Sequence, residues 1–363
     1  MRNLIFFFLF FYFLTTIFSF TQIISPLNNS IEIDLNQTIQ INISGIENTS
    51  TFFDWNDESL IAYWNFDLGT TSQSFDISDN SNNVNYYSGA NSNNNVGIRG
   101  NYSEFDGNND YVRSGNNLAI FEQTYPISMS FWIHLRGSTS NSFIGHLGQN
   151  GDSYSGYNMI ITSSGSIISR IGEGGGFCNS GSRRDYAKNS GSLNTNDWNH
   201  IVVNYNGLTN RELFINGVEF SFDSNSGSGS FLGFTTNSAF RFGGISDDGC
   251  GSSFYSNASF DEIMVFSKSL SQYEVDALYN SQSTNLSYVK NNLNNLTQYN
   301  FTVYSTNTSG DFLKSSFFFN TNTSYVLPVI EYQIVNTSSN FPTQGLSSLF
   351  LSVLFVLLFL FFN

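Results

Sequence analysis

The 363-residue sequence has little positive charge, little histidine and little cysteine, and each shortage excludes a class of function. Its 13 lysine and arginine residues stand against 28 aspartate and glutamate residues, which gives a formal net charge of −15. No basic patch is available to displace counterions from phosphates, which argues against a nucleic-acid partner. The acidic balance favours divalent cations instead. The three histidines and two cysteines offer no recognisable zinc-ligand spacing.

Proline is also scarce, with four residues, whereas glycine, serine and asparagine are abundant and the apolar residues fall in short alternating runs. This composition is typical of an all-β sandwich. In residues 128–135, SMSFWIHL, the alternation places Trp132 on the opposite face from the other large apolar side chains. Asn216-Gly217 predicts a type I′ hairpin. The capping box Ser271-Gln-Tyr-Glu274 predicts one short helix packed at the edge of the sandwich.

The first 20 residues have the pattern of a secretory signal peptide. Arg2 precedes an apolar run over residues 4–18, and small residues follow. The alternative is a transmembrane helix that is kept, although the run is shorter than the ~20 residues that span a bilayer. We expect residues 1–20 to be removed.

The last 18 residues, 346–363, are apolar and uncharged, and no lysine or arginine follows them. A polar spacer over residues 327–345 precedes this tail, which is the pattern of a GPI attachment signal. The candidate attachment residues are Asn336, Ser338 and Ser339. The alternative is a retained C-terminal transmembrane helix, which would usually carry cytoplasmic positive charge. Both alternatives predict a body anchored on the extracellular face of the plasma membrane.

Two further features agree with an extracellular protein. In an oxidising compartment Cys178 and Cys250 are expected to form a disulfide, the alternative being two free buried thiols. The second feature is a set of twelve Asn-x-Ser/Thr sequons. They are at Asn28, Asn36, Asn42, Asn48, Asn101, Asn257, Asn285, Asn295, Asn300, Asn307, Asn322 and Asn336.

Seven segments occur in an order that resembles the LamG-like jelly-roll domains of the concanavalin A-like lectin/glucanase superfamily. They are YWNFD (63–67), FDGNNDYV (105–112), ISMSFWIHL (127–135), NDWNHIVVNY (196–205), RELFINGVE (211–219), FRFGG (240–244) and FDEIMVFSKSLSQYEVDALYN (260–280). The resemblance covers residues 59–280. It implies a two-sheet antiparallel jelly roll whose concave face or rim loops bind glycans or protein ligands, frequently beside a calcium ion.

A second, weaker resemblance lies outside this domain. Residues 292–321 resemble the last strands of a fibronectin type III module, with Tyr299 in the position of the tyrosine corner. The front half of such a module is absent from the C-terminal segment, 281–326, while the N-terminal β segment, 21–58, has no core of its own. We therefore predict one smaller Ig/fibronectin III-like sandwich that is split by insertion of the jelly roll.

Calcium is the predicted cofactor. Asp106, Asn108 and Asp110 lie close together in sequence and offer the hard oxygen ligands that calcium prefers. Asp67 and Asp261, carried over from the motif positions of the family, are expected near the same edge. In the alternative interpretation Asp106 and Asp110 form a hairpin turn and Asp261 is a buried acid that accepts backbone amides.

Other residues are candidates for catalysis or for sugar binding. Glu32 and Asp34 are the nearest match to the alternating carboxylates of β-glucan hydrolases, but Asn36 replaces the third acid and the site lies outside the jelly roll. Trp132 is the candidate for stacking against a sugar, with a core position as the alternative. The dense asparagine, serine and tyrosine of residues 80–104 and 149–157 suit sugar hydroxyls.

The sequence thus predicts a surface-anchored, non-catalytic recognition protein that binds carbohydrate or glycoprotein in adhesion or cell contact, with calcium as a candidate cofactor. A glycosylated structural protein without a ligand is the first alternative. A divergent glycosidase is the second.

Overall fold

The strands and the helix come from a computed structural model that describes most of residues 20–323. The described residues are 20–25, 27, 29–32, 34–44, 50–54, 58–93, 97–115, 124–136, 141–147, 155–174, 182–189, 191, 193–195, 197–234, 238–245, 254–280, 285–306 and 312–323. Within these ranges the regular secondary structure is almost entirely β-strand, with one short helix.

Four strands precede the jelly roll: β1 (Phe20–Ser25), β2 (Ser30–Glu32), β3 (Gln37–Ser44) and β4 (Ser50–Asp54). The first half of the jelly roll contains β5 (Leu60–Trp64), β6 (Gly69–Thr70), β7 (Gln73–Ser74), β8 (Val84–Tyr87), β9 (Asn91–Asn93), β10 (Tyr102–Asp106), β11 (Tyr111–Ser114), β12 (Ile127–Leu135), β13 (Ser142–Leu147) and β14 (Ser155–Ile161). The second half contains β15 (Ile167–Glu173), β16 (Arg183–Lys188), β17 (Trp198–Tyr205), β18 (Arg211–Ile215), β19 (Val218–Phe220), β20 (Ser224–Ser226), β21 (Ala239–Phe242), β22 (Gly244–Ile245), β23 (Phe254–Tyr255) and β24 (Asn257–Phe266). Helix α1 (Gln272–Asn280), β25 (Asn285–Lys290), β26 (Gln298–Thr306) and β27 (Phe312–Thr321) follow.

The jelly roll consists of two large antiparallel sheets. One has eight strands in the order β19-β18-β17-β12-β24-β10-β9, with β5 paired to β24. The other has ten strands in the order β20-β16-β15-β14-β13-β21-β11-β8-β7-β6. Large side chains fill the space between the sheets, including the fully buried Trp64, Phe105, Phe131, Phe242 and Phe260. The predicted all-β, two-sheet sandwich is confirmed.

Local signals in the sequence determine two of the connections. The turn between β18 and β19 has positive φ at both Asn216 and Gly217, as a type I′ hairpin requires. At the start of α1 the Glu274 carboxylate accepts the Ser271 backbone amide at 2.8 Å, and the Ser271 hydroxyl donates to the same oxygen at 2.8 Å. The predicted hairpin and capping box are therefore present.

Helix α1 covers the outer face of the eight-stranded sheet. Val275 and Leu278 of the helix pack with Tyr63, Met264 and Phe266 of β5 and β24 in a second apolar cluster. Burial on both faces explains why these strands carry apolar residues at successive positions instead of alternating with polar ones. Strand β24 is thus buried on both faces, by the core between the sheets on one and by α1 on the other.

The strands before and after the jelly roll pair with each other. β3 pairs with β25 in a three-stranded sheet, while β4 pairs with β26 and β2 with β27 in a four-stranded sheet. Ile39, Phe301 and Phe319 belong to the apolar cluster of this region. The Tyr299 hydroxyl accepts the Asn294 backbone amide at 2.7 Å, the hydrogen bond expected of a tyrosine corner. The fibronectin type III assignment itself stays a prediction.

Several predictions concern residues outside the described ranges. The predicted anchor, 346–363, the attachment candidates Asn336, Ser338 and Ser339, and both cysteines, Cys178 and Cys250, lie there, as does the signal peptide up to residue 19. They stay predictions. Among the residues that the structure describes, no helix combines the length and apolar character needed to cross a bilayer. Of the described sequon asparagines, Asn36, Asn295 and Asn300 are exposed.

Candidate ligand-binding site

A polar groove with a volume of about 960 Å³ lies at one edge of the jelly roll. It is lined by residues of β6 and β7, the last two strands of the ten-stranded sheet, by β9 at the edge of the eight-stranded sheet, and by the loops beside them. Its size falls within the ~300–1,000 Å³ range of small-ligand sites. The lining residues are Phe66, Asp67, Leu68, Gly69, Thr70, Thr71, Ser72, Gln73, Tyr86, Gly89, Ala90, Asn91, Ser92 and Asn101.

The lining consists mainly of neutral hydrogen-bonding groups. Hydroxyls come from the segment 70–72 and from Ser92, amides from Gln73, Asn91 and Asn101, and an aromatic ring from Tyr86. Such groups both donate and accept, which matches the hydroxyls of a sugar better than it matches a charged ligand. The groove is therefore equipped to bind a neutral, hydroxyl-rich molecule.

Asp67 supplies the carboxyl group of the described lining. Its Oδ1 accepts the Asn101 backbone amide at 2.7 Å, and its Oδ2 accepts the Asn65 side-chain amide at 3.2 Å. Burial raises the pKa of Asp67 to about 8. The carboxyl group is therefore largely protonated at neutral pH and is itself a hydrogen-bond donor.

The loop 97–101, Gly-Ile-Arg-Gly-Asn, brings Asn101 to the groove. Gly100 has a φ of +59°, and a Cβ atom there would overlap the Asp67 carboxyl group. Gly97 donates its amide to the Gly100 carbonyl at 2.7 Å, which closes the loop on itself. Glycine at position 100 is thus required both by the backbone conformation and by the close approach to Asp67.

Arg99, in the middle of this loop, fastens it to the body of the domain. Its Nη1 lies 2.8 Å from Glu262 Oε2, and its Nη2 donates to the Leu278 carbonyl in the last turn of α1 at 3.1 Å. The Tyr63 hydroxyl donates to the same Glu262 oxygen at 2.5 Å. Both partners of the ion pair are almost fully buried. The groove edge is therefore held by a buried charge pair.

A bulge in β24 places Glu262 in this position. Glu262 and Ile263 together lie opposite the single residue Phe131 of β12, and Glu262 has a φ of +52°. The bulge lets Asp261 and Glu262 both approach the loop, because it interrupts the alternation of side chains along the strand. Burial and the mutual repulsion of the two acids raise the pKa of Asp261.

The structure separates the five candidate calcium ligands into two groups. Asp106, Asn108 and Asp110 lie in the turn between β10 and β11, whereas Asp67 and Asp261 lie at the loop 97–101. Asp106 of β10 pairs with Asn257 of β24, and Asp261 lies four residues further along β24. At the rise of a β-strand, the two groups are therefore about 13 Å apart. The expectation of one shared edge site is thus wrong in its geometry, although calcium binding itself stays a prediction.

Asp261 agrees with its alternative interpretation as a buried acid. Its Oδ2 accepts the Arg99 amide at 3.1 Å and its Oδ1 accepts the Glu262 amide at 2.8 Å. In the turn, Asp106 Oδ1 accepts the Asn108 amide at 2.8 Å, and Asp110 Oδ2 accepts the Asp106 amide at 3.1 Å. The other oxygen of Asp110, Oδ1, is buried without a hydrogen-bond partner.

The prediction that Trp132 lines a sugar-stacking groove is wrong. Trp132 is only 5% exposed and stacks on Tyr279 of α1, with ring centroids 5.7 Å apart, while His200 lies on β17 beside it. The sequence correctly placed Trp132 on the second face of β12, but the helix covers that face. Its alternative role, packing, is what the structure shows.

Sequence reasoning found part of the groove and missed the rest. The polar composition of residues 80–104 pointed to Asn91, Ser92 and Asn101, whereas the segment 69–73 carried no signal. Among the described residues, no cluster of three or more acidic, histidine or cysteine side chains has a metal-binding arrangement.

Residues 106–276 match the family model for the concanavalin A-like lectin/glucanases superfamily. This region is similar to LamG-like jelly-roll domains. The match confirms the family predicted from the seven segments and falls inside the predicted domain, 59–280. Because the family description includes both lectins and glucanases, it does not decide between binding and hydrolysis.

Solved structures with a similar arrangement include two binding domains. That of botulinum neurotoxin DC in complex with rat synaptotagmin II is 17% identical, has a TM-score of 0.47, and is matched over 63% of this chain and 53% of that one. That of Paraclostridial Mosquitocidal Protein 1 is 18% identical, has a TM-score of 0.45, and is matched over 62% and 52%. The chain spans about half the length of these structures. No curated protein matches the sequence.

The raised pKa of Asp67 predicts a pH-dependent loss of stability. The folded-state value is about 8 against an ordinary 3.8. The unfolded chain therefore loses this proton at a lower pH, and folding becomes less favourable as pH rises from about 4 to about 8. Asp67→Asn keeps an acceptor oxygen but has no proton to lose. We expect its free energy of unfolding, relative to the unchanged protein, to rise steadily between about pH 5 and pH 8, by up to about 1.4 kcal/mol per pH unit. The difference in melting temperature between the two proteins should grow accordingly.

Asp106→Asn serves as the matched control. Asp106 is exposed, and its hydrogen bonds from Asn108 lower its pKa, so its contribution is lost only at acidic pH. Melting curves of the three proteins at four pH values make the comparison. A difference between Asp67→Asn and the unchanged protein that stays constant over the range would contradict the raised pKa.

Proposed function

We propose that this protein is a non-catalytic recognition protein that binds carbohydrate or glycoprotein ligands through the groove at the edge of its jelly roll. The observation that supports this most directly is the lining of hydroxyl, amide and tyrosine side chains around about 960 Å³ of space. Recognition of a sugar requires many neutral donors and acceptors held in fixed positions by rigid strands, and β6, β7 and β9 provide them.

The described acids of the jelly roll favour binding over hydrolysis. Glycosidases use two carboxyl groups on either side of the scissile bond, ~5–5.5 Å apart for retention or ~6.5–9.5 Å for inversion. Asp67 is the one acid in the described groove lining, and its neighbours Asp261 and Glu262 are engaged behind the loop with Arg99. Outside the jelly roll, Glu32 accepts Ser30 and Asp34 accepts the amide of Asn36. These contacts support a binding role and make a divergent glycosidase the weaker alternative.

Binding of glycans can be tested with the protein lacking its two terminal hydrophobic segments, residues 22–335, on a glycan array. We expect binding above background, and we expect Gln73→Ala and Asn91→Ala each to weaken it about tenfold, because each removes a hydrogen-bonding group from the groove. Since Asn101 is also a sequon in the lining, N-linked glycans are removed enzymatically beforehand.

Asn225→Ala is the control, because Asn225 is an exposed asparagine of β20 at the opposite edge of the ten-stranded sheet. It should bind as the unchanged protein does. Absence of binding across the array would favour the alternative of a structural protein without a ligand, and release of reducing sugar from β-glucans would favour the glycosidase.

We also propose that the body is displayed on the extracellular face of the plasma membrane. The support is in the sequence: the apolar N-terminal run, the sequons and the uncharged tail 346–363. Phosphatidylinositol-specific phospholipase treatment of cells that express the full chain should release it into the medium. Retention on treated cells, with an established GPI-anchored protein released in the same sample, would favour a transmembrane helix.

For calcium, we propose the turn group as the site. Burial, together with the charge of the neighbouring Asp106 carboxylate, raises the pKa of Asp110. The buried, unpartnered Oδ1 of Asp110 fits a cation as its missing partner. Asp106, Asp110 and the Asn108 side chain would hold the ion by oxygen, and its role would be to neutralise the two acids and rigidify the turn.

Calcium should accordingly raise the melting temperature of the protein by roughly 2–4 °C for each kcal/mol of stabilisation, and EDTA should reverse the rise. Asp110→Asn should abolish the response. Asp197→Asn, which changes an exposed acid elsewhere on the surface, should leave it intact. Equal melting temperatures in calcium and EDTA would show that the turn is stabilised by its own hydrogen bonds alone.

A further inference from the structure

Two arginines lie directly opposite each other on the outer face of the ten-stranded sheet. Arg113 of β11 is the cross-strand partner of Arg241 of β21. Their neighbours Val112 and Phe242 point into the core between the sheets. Side chains alternate along a strand, so both guanidinium groups lie on the other face, where like charges in direct opposition are destabilising.

No carboxylate compensates this pair among the described residues. Arg241 is only 7% exposed, and the Nε atoms of both arginines are buried without a hydrogen-bond partner. The charged and polar groups that act on Arg241 are Arg113, Tyr111 and Tyr87. Burial and the charge of Arg113 lower the pKa of Arg241 to about 10, so it stays charged at neutral pH. Two cations are thus held together in a protein whose net charge is −15.

Two other arginines on the same sheet, by contrast, pair with a carboxylate. Asp185 of β16 accepts Arg170 through Nε at 2.8 Å and Nη2 at 3.1 Å, and Arg183 lies 3.1 Å from the same carboxylate. Arg170 and Asp185 are cross-strand partners, as Arg113 and Arg241 are. The contrast shows that the missing acid at positions 113 and 241 is a feature of this site, since the same sheet pairs arginine with aspartate elsewhere.

Two stacked tyrosines lie beside the arginine pair. Tyr87 and Tyr111 stack in parallel with ring centroids 4.8 Å apart, and the Arg241 guanidinium lies 5.6 Å from the centroid of the Tyr111 ring. The aromatic pair therefore orients Arg241.

We propose that Arg113 and Arg241 bind the anionic group, a carboxylate or a sulfate, of an acidic sugar, with Tyr87 and Tyr111 beside the sugar ring. Guanidinium groups donate parallel hydrogen bonds that match the oxygens of such anions, and an anion would remove the repulsion between the two cations. The sugar part of this inference rests on the proposed function. The anion part rests on the arginine geometry alone.

The test compares the unchanged protein with Arg113→Gln and Arg241→Gln. In chloride buffer, sulfate and glucuronate at matched ionic strength should each raise the melting temperature of the unchanged protein and should have a much smaller effect on either variant. On an array, sialylated or sulfated glycans should bind about tenfold or more tightly to the unchanged protein than to the variants, while their neutral counterparts should not discriminate.

Arg136→Gln is the control for removing one positive charge, because Arg136 already pairs with Glu104. It should respond to anions as the unchanged protein does. Equal stabilisation by sulfate and by glucuronate in the unchanged protein and in both glutamine variants would overturn the anion site. Stabilisation that needs both arginines, without any binding of acidic glycans, would uphold the anion site and overturn its assignment to a sugar. Binding of neutral glycans that depends on Gln73 and Asn91 but not on Arg113 or Arg241, with no preference for acidic glycans, would leave the proposed function standing and overturn this inference.

Discussion

The buried ion pair between Arg99 and Glu262 is the interaction on which the groove depends. It joins the loop 97–101, the bulge of β24 and, through the Leu278 carbonyl, the end of α1. A buried pair of this kind repays its desolvation better when further hydrogen bonds support it, and Tyr63 and Leu278 each supply one. Arg99 Nε and Glu262 Oε1 are buried without a hydrogen-bond partner. If the arginine were removed, Glu262 would keep its place in the core without a counter-charge. The position of Asn101 in the groove is thus fixed from inside the domain.

Much of the fold could be predicted because its signals are local. Asn216-Gly217 and the box at Ser271 each specify a backbone conformation within four residues, and the structure contains both. Each of the seven family segments is likewise a short, continuous stretch of sequence. The groove could not be predicted as a whole, since its lining comes from segments near residues 70, 90 and 101 that only the pairing of strands brings together. The prediction that Trp132 stacks on a sugar was wrong for a related reason. Alternation shows which face of the strand a side chain occupies, but it does not show that α1 covers that face.

The candidate calcium ligands also show that contacts between strands are harder to predict than contacts within a turn. Asp106, Asn108 and Asp110 are neighbours in sequence and in space, because a turn keeps them together. Asp67 and Asp261 were grouped with them through motif positions, yet register along β10 separates them from the turn. Proximity within a turn can be predicted from a sequence. Proximity across a sheet depends on the register of strand pairing, and a shift of one residue moves every side chain of a strand to the other face.

The two proposed binding surfaces lie on opposite sides of one short strand. Tyr86 of β8 lines the groove and the next residue, Tyr87, stacks on Tyr111 beside the arginines. Consecutive side chains of a strand point to opposite faces, so β8 carries both surfaces without either ligand touching the other. The surfaces also differ in charge: burial keeps Asp67 largely neutral at pH 7, whereas Arg113 and Arg241 have no acid among their described neighbours. One jelly roll therefore carries a surface of neutral hydrogen-bonding groups on one side of β8 and a pair of cations on the other.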